Sequence, residues 1–163
     1  MPIRPLLRFP DPRLRQAAAP VEHFDAALAA LAQDVLDTMR AAPGIGITAC
    51  HLGIPLRLVV LELEGWDAPR FYANPRLLWA SEARITHPEG SVCMPGVSET
   101  VERAASVRIA YQQLDGTPAE EAAEGLHAIC HQHEIDQLDG IFWTQRLSRL
   151  KRDRLLKKYQ KLG

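Results

Sequence analysis

Leu28, Leu31, Val35 and Met39 recur at steps of three and four, which predicts an amphipathic helix from about Asp25 to Ala42. Asp25 offers an N-cap acceptor, and Pro43-Gly44 ends the run. The period then shortens. Apolar and β-branched runs at Leu56–Leu63, Arg70–Ala73, Leu77–Trp79, Val97–Val101 and Val107–Gln112 read as strands, separated by turn signals such as Glu64-Gly65 and Asp115-Gly116. Their short connections favour antiparallel pairing. A second helix is expected from Leu126 to Leu138, stopped at Asp139-Gly140. A third follows in the tail, where Leu147, Leu150, Leu155, Tyr159 and Leu162 form an imperfect stripe. Strands in a block, with helices before and after, predict an α+β fold.

Length and composition narrow this picture. At 163 residues, with 47% hydrophobic and 24% charged, the chain reads as one domain, 1–163, with ordinary globular composition. No apolar stretch approaches the roughly 18 residues that span a bilayer, and the opening MPIRPLLRFPDPRLRQ is broken by prolines and arginines. A cytoplasmic protein without a membrane partner is expected. Cys50, Cys93 and Cys130 are odd in number and far apart, so they read as thiols. Net charge is −1, yet residues 146–163 carry eight of the 19 Lys and Arg and one acid, Asp153. That helix is +7 and the remainder −8, which favours a polyanionic partner without implying sequence-specific nucleic-acid binding.

Three places offer chemistry. Gly44-Ile45-Gly46-Ile47, leading to Cys50-His51, lets backbone approach a ligand closely; it equally suits a turn between helix and sheet. Glu89-Gly90-Ser91-Val92-Cys93-Met94-Pro95-Gly96 gathers a carboxylate, a hydroxyl and a thiol. As a strand it would present Ser91 and Cys93 on one face, though burial is the commoner fate of a cysteine. His131-Gln132-His133-Glu134-Ile135-Asp136-Gln137 puts His133 and Gln137 one helical turn apart with Glu134 beside them. This is HExxQ, one residue short of the HExxH pattern that holds a metal. His131 lies roughly 200° around the helix from His133 and should face elsewhere.

Taken in order, these places resemble the peptide deformylase family, whose motifs are GxGxxAxQ, EGCxS and HExxH. The likeness begins at Phe9-Pro10-Asp11-Pro12-Arg13-Leu14-Arg15 and Ala19-Pro20-Val21. It passes through Gly44-Ile45-Gly46 with Ala49, Asn74-Pro75, Glu89-Gly90, Pro95, Gly125-Leu126 and Ala128-Ile129-Cys130, and ends in Gln132-His133-Glu134-Ile135-Asp136. The resemblance implies antiparallel sheets around a central HExxH-type helix, with N-terminal and C-terminal helices. It also implies hydrolytic removal of the formyl group from N-formylmethionine of nascent polypeptides, using a divalent transition metal such as iron, nickel or zinc.

Carried over position by position, the metal ligands fall on Ser91, His133 and Gln137, so a cysteine and a histidine are replaced. Glu134 takes the place of the catalytic glutamate, the Val92 N–H that of one oxyanion donor, and His51 that of the glutamine that provides the other. Ile45, Gly46, Leu126, Ile129 and Cys130 fall on the methionine pocket, and His87 makes one wall polar. The basic C-terminal helix corresponds to the segment that docks on the ribosome. A protonated hydroxyl and a neutral amide hold a transition metal more weakly than a thiolate and an imidazole. Without a metal, water keeps a pKa near 15.7 instead of about 7. Impaired hydrolysis is therefore expected. The alternatives are a non-catalytic binder of formyl-methionyl peptides or ribosomes, and a hydrolase of another acylated amine whose metal sits on His51, His133 and the thiol of Cys93 or Cys130.

Overall fold

A computed structural model describes residues 3–163; Met1 and Pro2 lie outside the described residues, and residues 3–24 form an N-terminal arm ahead of the first long helix. Helix α1 spans Ala26–Ala41, and the Asp25 carboxylate accepts the Leu28 N–H at 3.0 Å as its N-cap. Leu28, Ala32, Val35, Leu36 and Met39 are buried, so the stripe read from the sequence is the face that packs. It packs on strands β1 (Gly46–Thr48) and β2 (Leu58–Leu61).

These two strands belong to a five-stranded antiparallel sheet that continues with β3 (Arg70–Ala80), β6 (Ser106–Gln112) and β7 (Pro118–Glu124), in the order β1-β2-β3-β6-β7. A separate antiparallel hairpin pairs β4 (Arg84–Ser91) with β5 (Met94–Ala104). Helix α2 spans Leu126–Leu138, the limits expected from sequence. Its Ala128, Ile135 and Leu138 join Val59, Leu61, Tyr72, Val107 and Ile109 of the sheet in one core cluster. A second cluster gathers Leu7, Leu14, Met94, Val101, Phe142, Trp143 and Leu155, tying the N-terminal arm and helix α3 (Arg149–Leu162) to the hairpin.

The α+β expectation holds, with differences in detail. Arg70–Ala73 and Leu77–Trp79 are one strand interrupted by irregular register at Asn74. Asn74 has a φ of 51°, and its side chain compensates by accepting the Val21 N–H at 2.7 Å and donating to Val21 O and Gln112 Oε1. In the tail the helix starts after Ser148, which caps it, and Leu150 and Leu162 are exposed while Leu155 is buried. All three cysteines are free and buried. Among the described residues no helix is long and apolar enough to cross a membrane.

Candidate active site

A cavity of about 400 Å³ opens between β1, the turn of the β4–β5 hairpin and one face of α2. Ile45, Gly46, His51, His87, Ser91, Val92, Leu126, Ile129, Cys130, His133 and Glu134 all line it, so three sequence segments far apart in the chain meet here. Ile45 and Leu126 are exposed at its walls, which leaves apolar surface open to a ligand.

Glu134 supplies the unpaired carboxylate of the lining. Its carboxylate is buried, Oε1 has no hydrogen-bond partner, and burial pushes its pKa up to about 7. A carboxyl group so placed is suited to taking or giving a proton near neutrality. Gly46 is what lets it sit there. A Cβ at that position would lie 2.8 Å from Glu134 Oε2 and 2.8 Å from a Leu61 methyl, so β1 passes the carboxylate only as bare backbone.

His133 is oriented by its neighbours. Its Nδ1 is 2.8 Å from Glu89 Oε1, leaving Nε2 as the nitrogen able to reach a ligand. Burial opposes charge on Glu89, but hydrogen bonds from Arg103 and His133 outweigh it and hold the carboxyl down at about 2. Arg103 grips Glu89 through Nε and Nη2, both at 2.8 Å, and reaches Asp136 at 2.7 Å. Asp136 in turn takes a two-pronged contact from Arg146. Thus Glu89, which the sequence offered as a carboxylate without a role, is the residue that fixes the imidazole.

His51 is a hydrogen-bond donor. Its Nδ1 accepts the Thr48 N–H at 2.9 Å, so the ring proton resides on Nε2. Burial, with His133 nearby, lowers its pKa to about 3, and the ring stays neutral. A neutral Nε2–H on the cavity wall is a group able to donate to an oxygen bound there.

The two substituted positions behave differently from metal ligands. Gln137 is buried and outside the cavity lining; its Nε2 donates to Leu14 O at 2.7 Å. Ser91 Oγ accepts the Cys93 N–H at 3.1 Å. Only His133 among Ser91, His133 and Gln137 presents a nitrogen suited to a transition metal, so the residues present do not fit a resident ion here. Nor do the thiols repair the set. Ser91 closes β4 and Cys93 falls in the turn that follows, so the two do not alternate along one strand. Cys93 is fully buried with its Sγ 3.8 Å from His51 O, and burial pushes both Cys93 and Cys130 up to about 12. Among the described residues, the set of three His, Cys or carboxylate donors whose ligating atoms lie within 4.8 Å of one another is Glu121, His127 and His131, on the opposite face of α2. The combination of His51, His133 and a thiol is not brought to that spacing.

Comparison with known proteins agrees with this geometry. The model of the polypeptide deformylase family matches residues 3–153. A "Peptide deformylase-like" protein of Bradyrhizobium diazoefficiens is 63% identical over 163 residues, covering 100% of this chain and 96% of the relative. A "Peptide deformylase" of Mesorhizobium japonicum is 48% identical, covering 100% of this chain and 94% of its own. The crystal structure of a peptide deformylase from Legionella pneumophila superposes with a TM-score of 0.90 at 38% identity, covering 98% of this chain and 96% of that one. The chain belongs to the polypeptide deformylase family.

Proposed function

We propose that this protein acts on the formyl-methionyl N-termini of nascent polypeptides in the cytoplasm, binding them in the deformylase cleft, with removal of the formyl group impaired by Ser91 and Gln137. The observation that carries the reading is the continuity between apolar walls at Ile45, Leu126 and Ile129 and the buried, unpartnered Glu134 carboxylate. The methionine side chain would occupy the apolar part. The formyl oxygen would meet His51 Nε2–H and the Val92 N–H, and Glu134 would hold a proton at the amide. Family hydrolysis draws its activated water from a divalent metal, and the donor set here does not supply one.

Calorimetry with formyl-methionyl, acetyl-methionyl and free-amine methionyl tripeptides tests the proposal, with elemental analysis and a formate-release assay on the same preparation. The expected result is a preference for the formylated peptide, slow or absent formate release and a metal content that His133→Asn does not lower. Equal binding of all three peptides would overturn it. A ribosome partner is part of the same reading, because Arg154, Lys157, Lys158 and Lys161 are exposed on α3. Charge reversal of Arg154, Lys157 and Lys158 should reduce co-sedimentation with ribosomes and flatten its salt dependence.

A further inference from the structure

Helix α2 carries a second constellation of donors on the side away from the cleft. His127 and His131 stand one helical turn apart, and Glu121 reaches them from β7, the strand that enters the helix through Gly125 at a φ of 61°. His131 Nε2 lies 2.8 Å and His127 Nε2 2.9 Å from the same oxygen, Glu121 Oε1, which also accepts the Tyr72 hydroxyl at 2.8 Å. Three donors thus crowd one carboxylate oxygen. The result is an imbalance: His127 Nε2 is sheltered from solvent and, despite its short distance, makes no aligned hydrogen bond. Proximity without alignment leaves a basic nitrogen buried with its bonding capacity unused, which carries a cost.

From this arrangement we infer that Glu121, His127 and His131 form a binding site for a divalent transition-metal ion of the zinc class, separate from the deformylase ligand positions. Two imidazole nitrogens and one carboxylate oxygen are a donor set that zinc accepts, with a fourth position left to water or an external ligand. Helical spacing of four residues puts both rings on one side, as a shared ion requires. Bond lengths of about 2.0–2.2 Å in a tetrahedral site would set the ligating atoms about 3.3 Å apart, so the cluster needs to open by roughly 0.5 Å. The movement would fall to His127 and Glu121, whose side chains are 18% and 16% exposed, because His131 is 1% exposed and fixed in the core. The opposing charge is Arg70, whose Nη1 is 3.1 Å from Glu121 Oε2. It stacks 3.9 Å over the Trp66 ring and is 47% exposed, so it can remain on the second carboxylate oxygen or turn outward without disturbing the core. An ion here would join β7 to α2 and order the Gly125 turn.

The test is titration of chelator-stripped, full-length protein with Zn²⁺ alone by calorimetry, repeated with Co²⁺ to read the visible bands of a tetrahedral site. One equivalent with tetrahedral Co²⁺ absorption is expected. Loss of outer-shell partners alone typically weakens metal sites 10–100-fold, so His127→Leu and Glu121→Gln should each weaken Zn²⁺ binding by about 100-fold or more. His133→Asn should leave it unchanged. His127 is half-buried, so its leucine variant is expected to keep the native circular dichroism; Glu121→Gln gives a second reading if it does not. Zn²⁺ binding that persists in His127→Leu and Glu121→Gln, binding that disappears in His133→Asn, or no binding tighter than that of free imidazole would each overturn the proposal.

Discussion

The two faces of α2 use the same two residue types to opposite ends. Toward the cleft, Glu134 is buried without a donor on Oε1 and its pKa rises to about 7, while the neighbouring Glu89 is saturated by Arg103 and His133 and stays ionised. Away from the cleft, Glu121 accepts hydrogen bonds from Tyr72, His131 and Arg70 with the His127 ring close by, and these neighbours outweigh its burial and hold its pKa well below the usual carboxylate range. A helical histidine beside a carboxylate is therefore ambiguous in itself. What decides between proton handling and a fixed anion is the number of donors that other elements bring to the oxygen atoms.

The strongest way to break this contrast is to give the cleft back its charged, soft donors. Ser91→Cys combined with Gln137→His should raise deformylation of formyl-methionyl peptides by roughly 100-fold or more and yield one metal in the cleft, with either single change near background. Formate release and elemental analysis measure both. A double variant that folds and binds metal yet does not turn over would show that the pocket has diverged as well. Arg103→Met strikes the clamp on the cleft side. Asp136 keeps Arg146, but the buried Glu89 would be left with His133 alone, which should cost roughly 3–5 kcal/mol, read as a lower midpoint in thermal or denaturant unfolding.

Gly46→Ala sharpens the comparison by pressing on Glu134 from the cleft side. The added methyl group meets the carboxylate and Leu61 at 2.8 Å, and overpacking of this kind should cost roughly 1–3 kcal/mol. Denaturant melts would detect it, while the Zn²⁺ titration at Glu121 should not change. The smallest effect is expected from His51→Gln in the Ser91→Cys, Gln137→His background. Both side chains offer an N–H to the oxyanion, so formate release should change by less than about tenfold, whereas His51→Ala should lose roughly 10²–10³.

Periodicity was a good guide where one face of an element is buried. The stripe on α1 and the limits of α2 were legible for that reason, as was the α+β class. Strands that lack an alternating apolar face were not. β7, Pro-Ala-Glu-Glu-Ala-Ala-Glu, lies at the sheet edge, and β4 carries Pro88 and mostly exposed side chains. β1 reads as a glycine turn because its pairing with β2 is set by tertiary contact. In the cleft, Ile45, His51, Ser91, His133 and Glu134, which the family resemblance grouped, line one cavity. The resemblance could not show that Gln137 turns to Leu14 or that Cys93 is folded inward. Those outcomes depend on acceptors from distant segments. Glu121 escaped notice for the same reason, though the i, i+4 pair His127 and His131 was a visible cue.

The hydrogen bond from Gln137 to Leu14 links positions 123 residues apart in the chain. Because an amide makes this joint, it contains nothing that a chelator can extract or an oxidant can strip. The N-terminal arm and the last turn of α2 are thus held in register by a joint that travels with the polypeptide itself.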